Sequence, residues 1–186
     1  PELATPDIQF HLQPFSADKP GDGMHPFSAF TASVLQLRPE SAGHLALKSS
    51  SPDDHIVIHP NYLATKTDCD TIVAGIKVAR AVSAAEPVAS MITEEFSPGP
   101  GVAENDDEAI LDWARNTSTT IYHPTGTCKM GRDPMAVVDE RLRVHGIDGL
   151  RVADTSIMPV ITSGNTNAPA IMIGEKASDM ILKDTP

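Results

Sequence analysis

Short apolar segments follow one another closely in the first third of this chain, and that spacing limits the possible folds. Turn-forming residues at 39–43 and 49–54 separate the later segments. Because a parallel crossover needs about a dozen residues or more, connections this short predict an antiparallel sheet. The candidate strands are Ile8–Leu12, Phe30–Arg38, Leu45–Leu47 and Ile56–Ile58.

Helical patterns follow these strands. Asp68 is placed to cap a helix with apolar residues along one side, and Pro87 is expected to stop it. Pro169 suits the first turn of a last helix that runs to about Leu182, because the missing N–H of proline is unpaired there anyway. Strands first and helices after them predict the α+β class. Between these helices we expect a helix at 106–116 and two short strands at 142–144 and 150–153.

Charge and hydropathy restrict the partners and the compartment. Twenty-five acidic and fourteen basic residues give a formal charge of −11, which repels phosphate backbones, so nucleic acid is not expected as a partner. No apolar run approaches the roughly 20 residues that a transmembrane helix needs. The first residues, Pro1–Leu3, have no signal-like pattern, so we expect a cytoplasmic protein with its two cysteines reduced.

His123 is the histidine with the most restrictive local frame. Pro124 pushes the backbone of His123 into an extended conformation, and Gly126 allows a tight bend just after it. Imidazole is well suited to act as a base near neutral pH. From this local context alone, however, a structural histidine is the more common outcome.

A loop rich in glycine and asparagine precedes the last helix. It contains Asn165 and Asn167, and asparagine beside glycine often indicates only a turn. A helix N-terminus also offers free N–H groups to a negatively charged or electron-rich ligand. Asp154 and Thr155 follow the strand-like segment 150–153, and Asp154 could simply cap the next turn with its own side chain.

Metal binding is the other chemistry that the histidines suggest. His55 and His59 are four residues apart, but the intervening Ile-Val-Ile favours a strand, on which they would be about 13 Å apart. His123, Cys128 and Met130 faintly resemble a copper site that lacks its second histidine. We therefore expect no metal site.

These segments together resemble a known family. Residues 122–131, Tyr-His-Pro-Thr-Gly-Thr-Cys-Lys-Met-Gly, and residues 163–176 resemble the C-terminal signature of the glucose–methanol–choline (GMC) family of flavin-dependent alcohol oxidoreductases. The Asn-Thr-Asn-Ala-Pro loop is most similar to the choline-dehydrogenase-like branch. The similarity extends from about Val34 to Leu182, although Ala42 stands where an arginine is common in the family.

The resemblance implies roles for particular residues. It implies that His123 accepts the substrate hydroxyl proton, while hydride passes from the carbinol carbon to flavin N5. It implies that Asn165, at a position that is His or Asn in the family, holds the alcohol oxygen. The cofactor contacts that it implies are Thr166, Asn167 and Ala168 along the flavin ring, and Asp154 with Thr155 near the ribityl and phosphate groups.

The family's Gly-x-Gly-x-x-Gly turn, which binds the pyrophosphate of FAD, does not occur in this sequence. The resemblance therefore implies a C-terminal fragment that is expected to be inactive alone, with the N-terminal FAD-binding portion as its partner. Residues 1–120 would form an antiparallel-sheet substrate-binding domain with helices. Residues 121–186 would carry the catalytic motif and the flavin-contacting loop and complete a Rossmann-like FAD domain.

The implied substrate is a small primary alcohol, with choline as one candidate. At 4% aromatic residues, the chain offers few side chains for an aromatic cage around a quaternary ammonium group. Two alternatives stay open: a lyase on the same fold without net redox chemistry, and a non-catalytic binding module built on the sheet. The lyase would keep the base, and the binding module would not depend on His123.

Overall fold

The computed structural model describes residues 4–19 and 21–184, which form two separate units. One unit contains the chain up to Ser41 together with Leu63–Thr119, and the other contains Ala42–Tyr62 and the chain from Thr120 onward. Residues 42–62 thus group with the C-terminal residues, whereas the sequence placed them in a 1–120 domain. The functional roles of the two predicted domains stay predictions. Pro1–Leu3 lie outside the described residues.

The first unit is built on a strand pair and two helices. Strands β1 (Ile8–Gln13) and β2 (Thr31–Gln36) are antiparallel, with Ile8 opposite Gln36 and Gln13 opposite Thr31. Two helices follow, α1 (Lys66–Ser83) and α2 (Asp107–Thr117), separated by a short 3-10 helix, Ala89–Met91. The buried core of the two helices consists of Val73, Ile76, Ile110 and Ala114.

Helix α1 begins one residue after its cap. The hydroxyl of Thr65 accepts a hydrogen bond from the N–H of Asp68 at 3.2 Å, so the prediction that Asp68 caps this helix was wrong. Both residue types can cap, and the chain turns three residues earlier than we predicted. The helix ends at Ser83, before Pro87. The helix predicted at 106–116 is confirmed as α2, and Asp106 is its cap: the Asp106 side chain accepts from the N–H of Ala109.

The Asp68 carboxylate instead forms buried hydrogen bonds to other parts of the first unit. It is only 1% exposed and accepts hydrogen bonds from Gln36 Nε2 and from the backbone N–H groups of Glu40 and Ser41, at 2.8 to 2.9 Å. Burial raises the pKa of this carboxyl, but the bonds from Ser41, Glu40 and Gln36 outweigh it and hold the pKa below its ordinary value. The carboxylate therefore ties the turn after β2 to the first turn of α1.

Gly75 lets α1 approach the strand pair closely. A Cβ atom at Gly75 would lie 2.4 Å from Val34 Cγ1 and 3.1 Å from Ile8 Cδ1. A valine side chain is stiff at χ1, so it cannot rotate away cheaply. The close contact of helix and strands therefore depends on the missing side chain.

We expect Gly75→Ala to destabilise the fold. Overpacking costs about 1–3 kcal/mol, which exceeds the gain of at most about 1 kcal/mol from the better helix propensity of alanine. Gly174→Ala on the last helix is the matched control, because a Cβ there would have no neighbour within 4 Å. Urea denaturation should show a lower midpoint for the first variant and an equal or higher midpoint for the control. Equal shifts for both would contradict the packing argument.

The second unit contains another strand pair. Strands β3 (His44–Ala46) and β4 (Val57–His59) are antiparallel, and the rings of His44 and His59 stack across the pair with centroids 4.4 Å apart. The antiparallel pairing that we predicted is confirmed, but the single sheet was wrong. The four described strands form two separate two-stranded sheets.

The segments predicted as strands at 142–144 and 150–153 do not form strands. They contain only isolated β-bridges, between Val138 and Val144 and between Arg143 and Arg151. Leu142 has φ 65°, in the left-handed region that a strand cannot contain, so the ladder breaks there. Asp139 accepts hydrogen bonds from Arg143 and from the N–H of Arg141. Burial alone would raise the pKa of Asp139. The hydrogen bonds lower it by a larger amount, so the pKa falls below its ordinary value, to about 2.

The last helix, α3 (Asn167–Asp184), covers the core of the second unit. It starts two residues before Pro169, which stands in the first turn as predicted. A 3-10 helix, Thr155–Ile157, packs near it, and at the far end Asp184 pairs with both Arg141 and Arg151. The buried core residues are Val138, Leu142, Ile157, Met158, Ile173 and Ala177.

Candidate functional site

The turn that presents His123 has an unusual backbone. Tyr122 has φ 65° and Gly126 has φ 85°, so the histidine stands between two residues in the left-handed region. For a tyrosine this conformation costs about 1–3 kcal/mol, and such strain is concentrated at functional sites. Tyr122 is also 67% exposed, so no burial of its side chain offsets that cost. The sequence pattern did not single out this residue.

The turn is fixed to the neighbouring 3-10 helix. The hydroxyl of Thr155 donates to the carbonyl oxygen of Pro124 at 3.3 Å. A Cβ at Gly126 would lie 3.3 Å from the carbonyl oxygen of Met158, so the turn also passes close to the backbone at the end of that helix. Both contacts lie just after His123 in the chain, so they hold the backbone on the C-terminal side of this residue.

His123 and Asn165, which are 42 residues apart in sequence, lie side by side. The Nδ2 atom of Asn165 is 2.7 Å from Nε2 of His123. On the other edge of the ring, Nδ1 of His123 is 2.9 Å from the hydroxyl oxygen of Thr166. The structure thus brings the two predicted catalytic residues together, with His123 half-buried and Asn165 exposed.

The predicted cofactor contacts divide into two groups. Asn167 and Ala168 are exposed on the first turn of α3, where N–H groups have no partner within the helix. Thr166 is only 6% exposed and its side chain bonds to His123. Their roles toward a flavin stay predictions.

Asp154 and Thr155 lie at the start of the 3-10 helix. Asp154 Oδ1 accepts from the N–H of Ser156 at 2.8 Å, which is the capping role that the sequence left open. This bond occupies one carboxylate oxygen and does not exclude a second contact. Thr155 bonds the His123 turn through Pro124, a connection that the sequence did not reveal.

The histidines considered for metal binding are arranged differently from a metal site. His59 ends β4 and stacks on His44, while His55 precedes the strand. Within residues 4–19 and 21–184, no three or more His, Cys, Asp or Glu side chains are grouped so that they could hold a metal ion. The expectation of no metal stays a prediction.

Comparison with known proteins identifies the family. The GMC oxidoreductase family, through its C-terminal domain, matches residues 39–174. An alcohol dehydrogenase (acceptor) from Pseudomonas putida is 44% identical over 98% of this chain and 33% of its own length. The mitochondrial choline dehydrogenase of Mus musculus is 43% identical over 97% of this chain and 30% of its own length.

A solved structure shares the fold. A formate oxidase from Aspergillus oryzae RIB40, solved to examine FAD modification, matches with a TM-score of 0.88 and 26% identity over 98% of this chain and 32% of that one. The chain belongs to the GMC oxidoreductase family. It spans about a third of the length of the relatives that it matches. None of the helices in the described residues is both long and apolar enough to cross a bilayer.

Proposed function

We propose that this chain is the C-terminal part of an FAD-dependent alcohol oxidoreductase that removes hydride from a primary alcohol. The 2.7 Å contact between His123 and Asn165 is the observation that carries the proposal. The imidazole suits the role of a base and the amide that of a donor, and the two groups meet where Asn165 is exposed. The family membership and the alcohol and choline dehydrogenases among the relatives support this reaction class.

The two side chains suit the chemistry of an alcohol oxygen. An alcohol that enters between them would replace their direct bond with two bonds. Its hydroxyl proton would point to Nε2 of His123, and an N–H of Asn165 would point to its oxygen. As the proton moves to Nε2, the oxygen gains alkoxide character, which a fixed N–H donor stabilises.

The residues near this pair fit a flavin. The first turn of α3, with Asn167 and Ala168 exposed, offers backbone N–H groups and the positive end of a helix dipole to an electron-rich ring. Asp154 and Thr155 lie next to the turn that carries the base. FAD, when bound, would supply the hydride acceptor. The pyrophosphate turn would belong to the part of the enzyme that precedes this chain.

Anaerobic mixing of the full-length enzyme with primary alcohols, choline among them, tests the proposal. We expect the flavin absorbance to bleach while the aldehyde forms in equal amount. A protein that converts its substrate without bleaching would be a lyase. A protein that binds an alcohol and converts nothing would be a binding module. Either result would overturn the proposal.

A further inference from the structure

Thr166 contacts the ring nitrogen of His123 that the proposed reaction does not use. Its hydroxyl oxygen lies 2.9 Å from Nδ1, and its backbone N–H lies 3.4 Å from the same atom. The Thr166 residue is 6% exposed, which makes it one of two buried polar residues among those described. A buried hydroxyl beside an imidazole helps to fix the position of the ring, and because a hydroxyl can donate or accept, the partner of the other nitrogen decides the location of the ring proton.

The start of α3 explains why this hydroxyl is available. In α1 and α2, the capping side chains of Thr65 and Asp106 accept from the N–H of the third helical residue. Thr166 stands at the equivalent place before α3, but the third residue of that helix is Pro169, which has no N–H. The proline therefore removes the usual partner, and the hydroxyl bonds His123 instead.

The neutral imidazole carries its single proton on one nitrogen, and the neighbours decide which one. The amide nitrogen of Asn165 lies at Nε2 and can only donate, so Nε2 accepts. The ring proton is then on Nδ1, and the Thr166 oxygen accepts a hydrogen bond from this N–H. The backbone N–H of Thr166 would favour the opposite tautomer, but its 3.4 Å contact is longer and weaker than the 2.9 Å contact of the hydroxyl.

We propose that Thr166 is a positioning residue whose hydroxyl oxygen accepts from Nδ1–H of His123 and, together with the Asn165 amide at Nε2, keeps Nε2 unprotonated and directed toward the alcohol. This inference rests on the proposed function of His123 as the base. When Nε2 takes the hydroxyl proton, the Nδ1–H bond to Thr166 remains and is strengthened by the positive charge on the ring. In this proposal Thr166 acts through His123, whereas the family resemblance in the sequence implied that Thr166 contacts the flavin ring.

The tautomer can be read directly from ring 15N chemical shifts. The full-length enzyme, labelled with 15N in its histidines, would be compared with the His123→Gln variant to assign the His123 signals. Under conditions where the ring is neutral, we expect the Nδ1–H tautomer in the wild-type enzyme. The Nε2–H tautomer there would overturn the inference, and this measurement requires no change at Thr166.

Two variants at Thr166 test the effect on the reaction. Thr166→Val keeps the shape without the hydroxyl, and Thr166→Ser keeps the hydroxyl without the methyl group. We expect Thr166→Val to slow flavin reduction at saturating alcohol about tenfold with FAD content unchanged, and to weaken the tautomer preference, because the backbone N–H of residue 166 then remains at Nδ1 without the competing hydroxyl. Thr166→Ser should retain both the rate and the tautomer.

The outcomes separate this inference from the proposed function. If His123→Ala slows flavin reduction but Thr166→Val has the wild-type rate and tautomer, only the role of Thr166 is wrong. If His123→Ala has no effect, the proposed base is wrong. Loss of FAD from Thr166→Val, with the His123 tautomer intact, would show that Thr166 is a cofactor contact and would also overturn the inference.

Discussion

Replacing His123 with alanine in the full-length enzyme is expected to slow flavin reduction by about 100-fold or more, the scale of losing a general base. The ring is held at both nitrogens, by Asn165 at Nε2 and by Thr166 at Nδ1, so its position is already fixed before substrate arrives. Anaerobic stopped-flow mixing with alcohol, followed by flavin absorbance, measures this step without the later reaction with an electron acceptor.

His145→Ala is a suitable control for that experiment. His145 is an exposed histidine of the same unit, and its Nε2 bonds the carbonyl oxygen of Gly131 at 3.1 Å. An exposed substitution of this kind changes energies by at most about 0.5 kcal/mol, so flavin reduction should stay within about twofold. A His123→Ala enzyme that reduced its flavin as fast as this control would show that another group takes the proton.

The local elements of the fold could be predicted from the sequence. Alternating apolar residues between turns indicated the strands that became β1 to β4, and α2 (Asp107–Thr117) lies within one residue of the helix predicted at 106–116. The pairing of the strands was harder, because short connections favour antiparallel neighbours but do not decide whether two pairs join. Which strands pair depends on contacts between distant residues, and here β1–β2 and β3–β4 remain separate.

Two errors have specific physical causes. Thr65 and Asp68 are both good caps, and the buried bonds from Gln36, Glu40 and Ser41 occupy the Asp68 carboxylate. The left-handed backbone of Leu142 interrupts a segment that reads as a strand. In both cases tertiary contacts override a local preference, and nothing in the adjacent sequence reveals them.

The site, like the fold, could be predicted from the sequence only in part. The rigid turn around His123 and the loop at Asn165 are visible in the sequence, but their meeting across 42 residues was suggested only by the family resemblance. The burial of Thr166 and its bond to Nδ1 had no sequence signal that we recognised. In retrospect, a threonine placed before a helix with proline as its third residue indicates a hydroxyl without its usual capping partner.

Asn165→Ala in the full-length enzyme should cost about 2.7 to 4 kcal/mol of transition-state stabilisation, the usual loss for one fixed donor to a developing oxyanion. The Nδ2 atom of Asn165 lies 2.7 Å from Nε2 of the proposed base, His123. Because the amide acts on charge that develops during the reaction, the loss should appear in the rate at saturating alcohol more than in alcohol binding. Anaerobic reduction rates over a range of alcohol concentrations separate the two.

Two further substitutions at Asn165 distinguish a donor from a merely structural amide. Asn165→Asp has nearly the same shape but replaces the donor with a negative charge beside the alkoxide, so it should be at least as slow as the alanine variant. Asn165→His restores a donor of the type that the resemblance implies for other family members, and it should recover part of the rate. If the alanine, aspartate and histidine variants all reduced flavin at the wild-type rate, Asn165 would only shape the loop before α3, and the oxygen would have to be held by another donor.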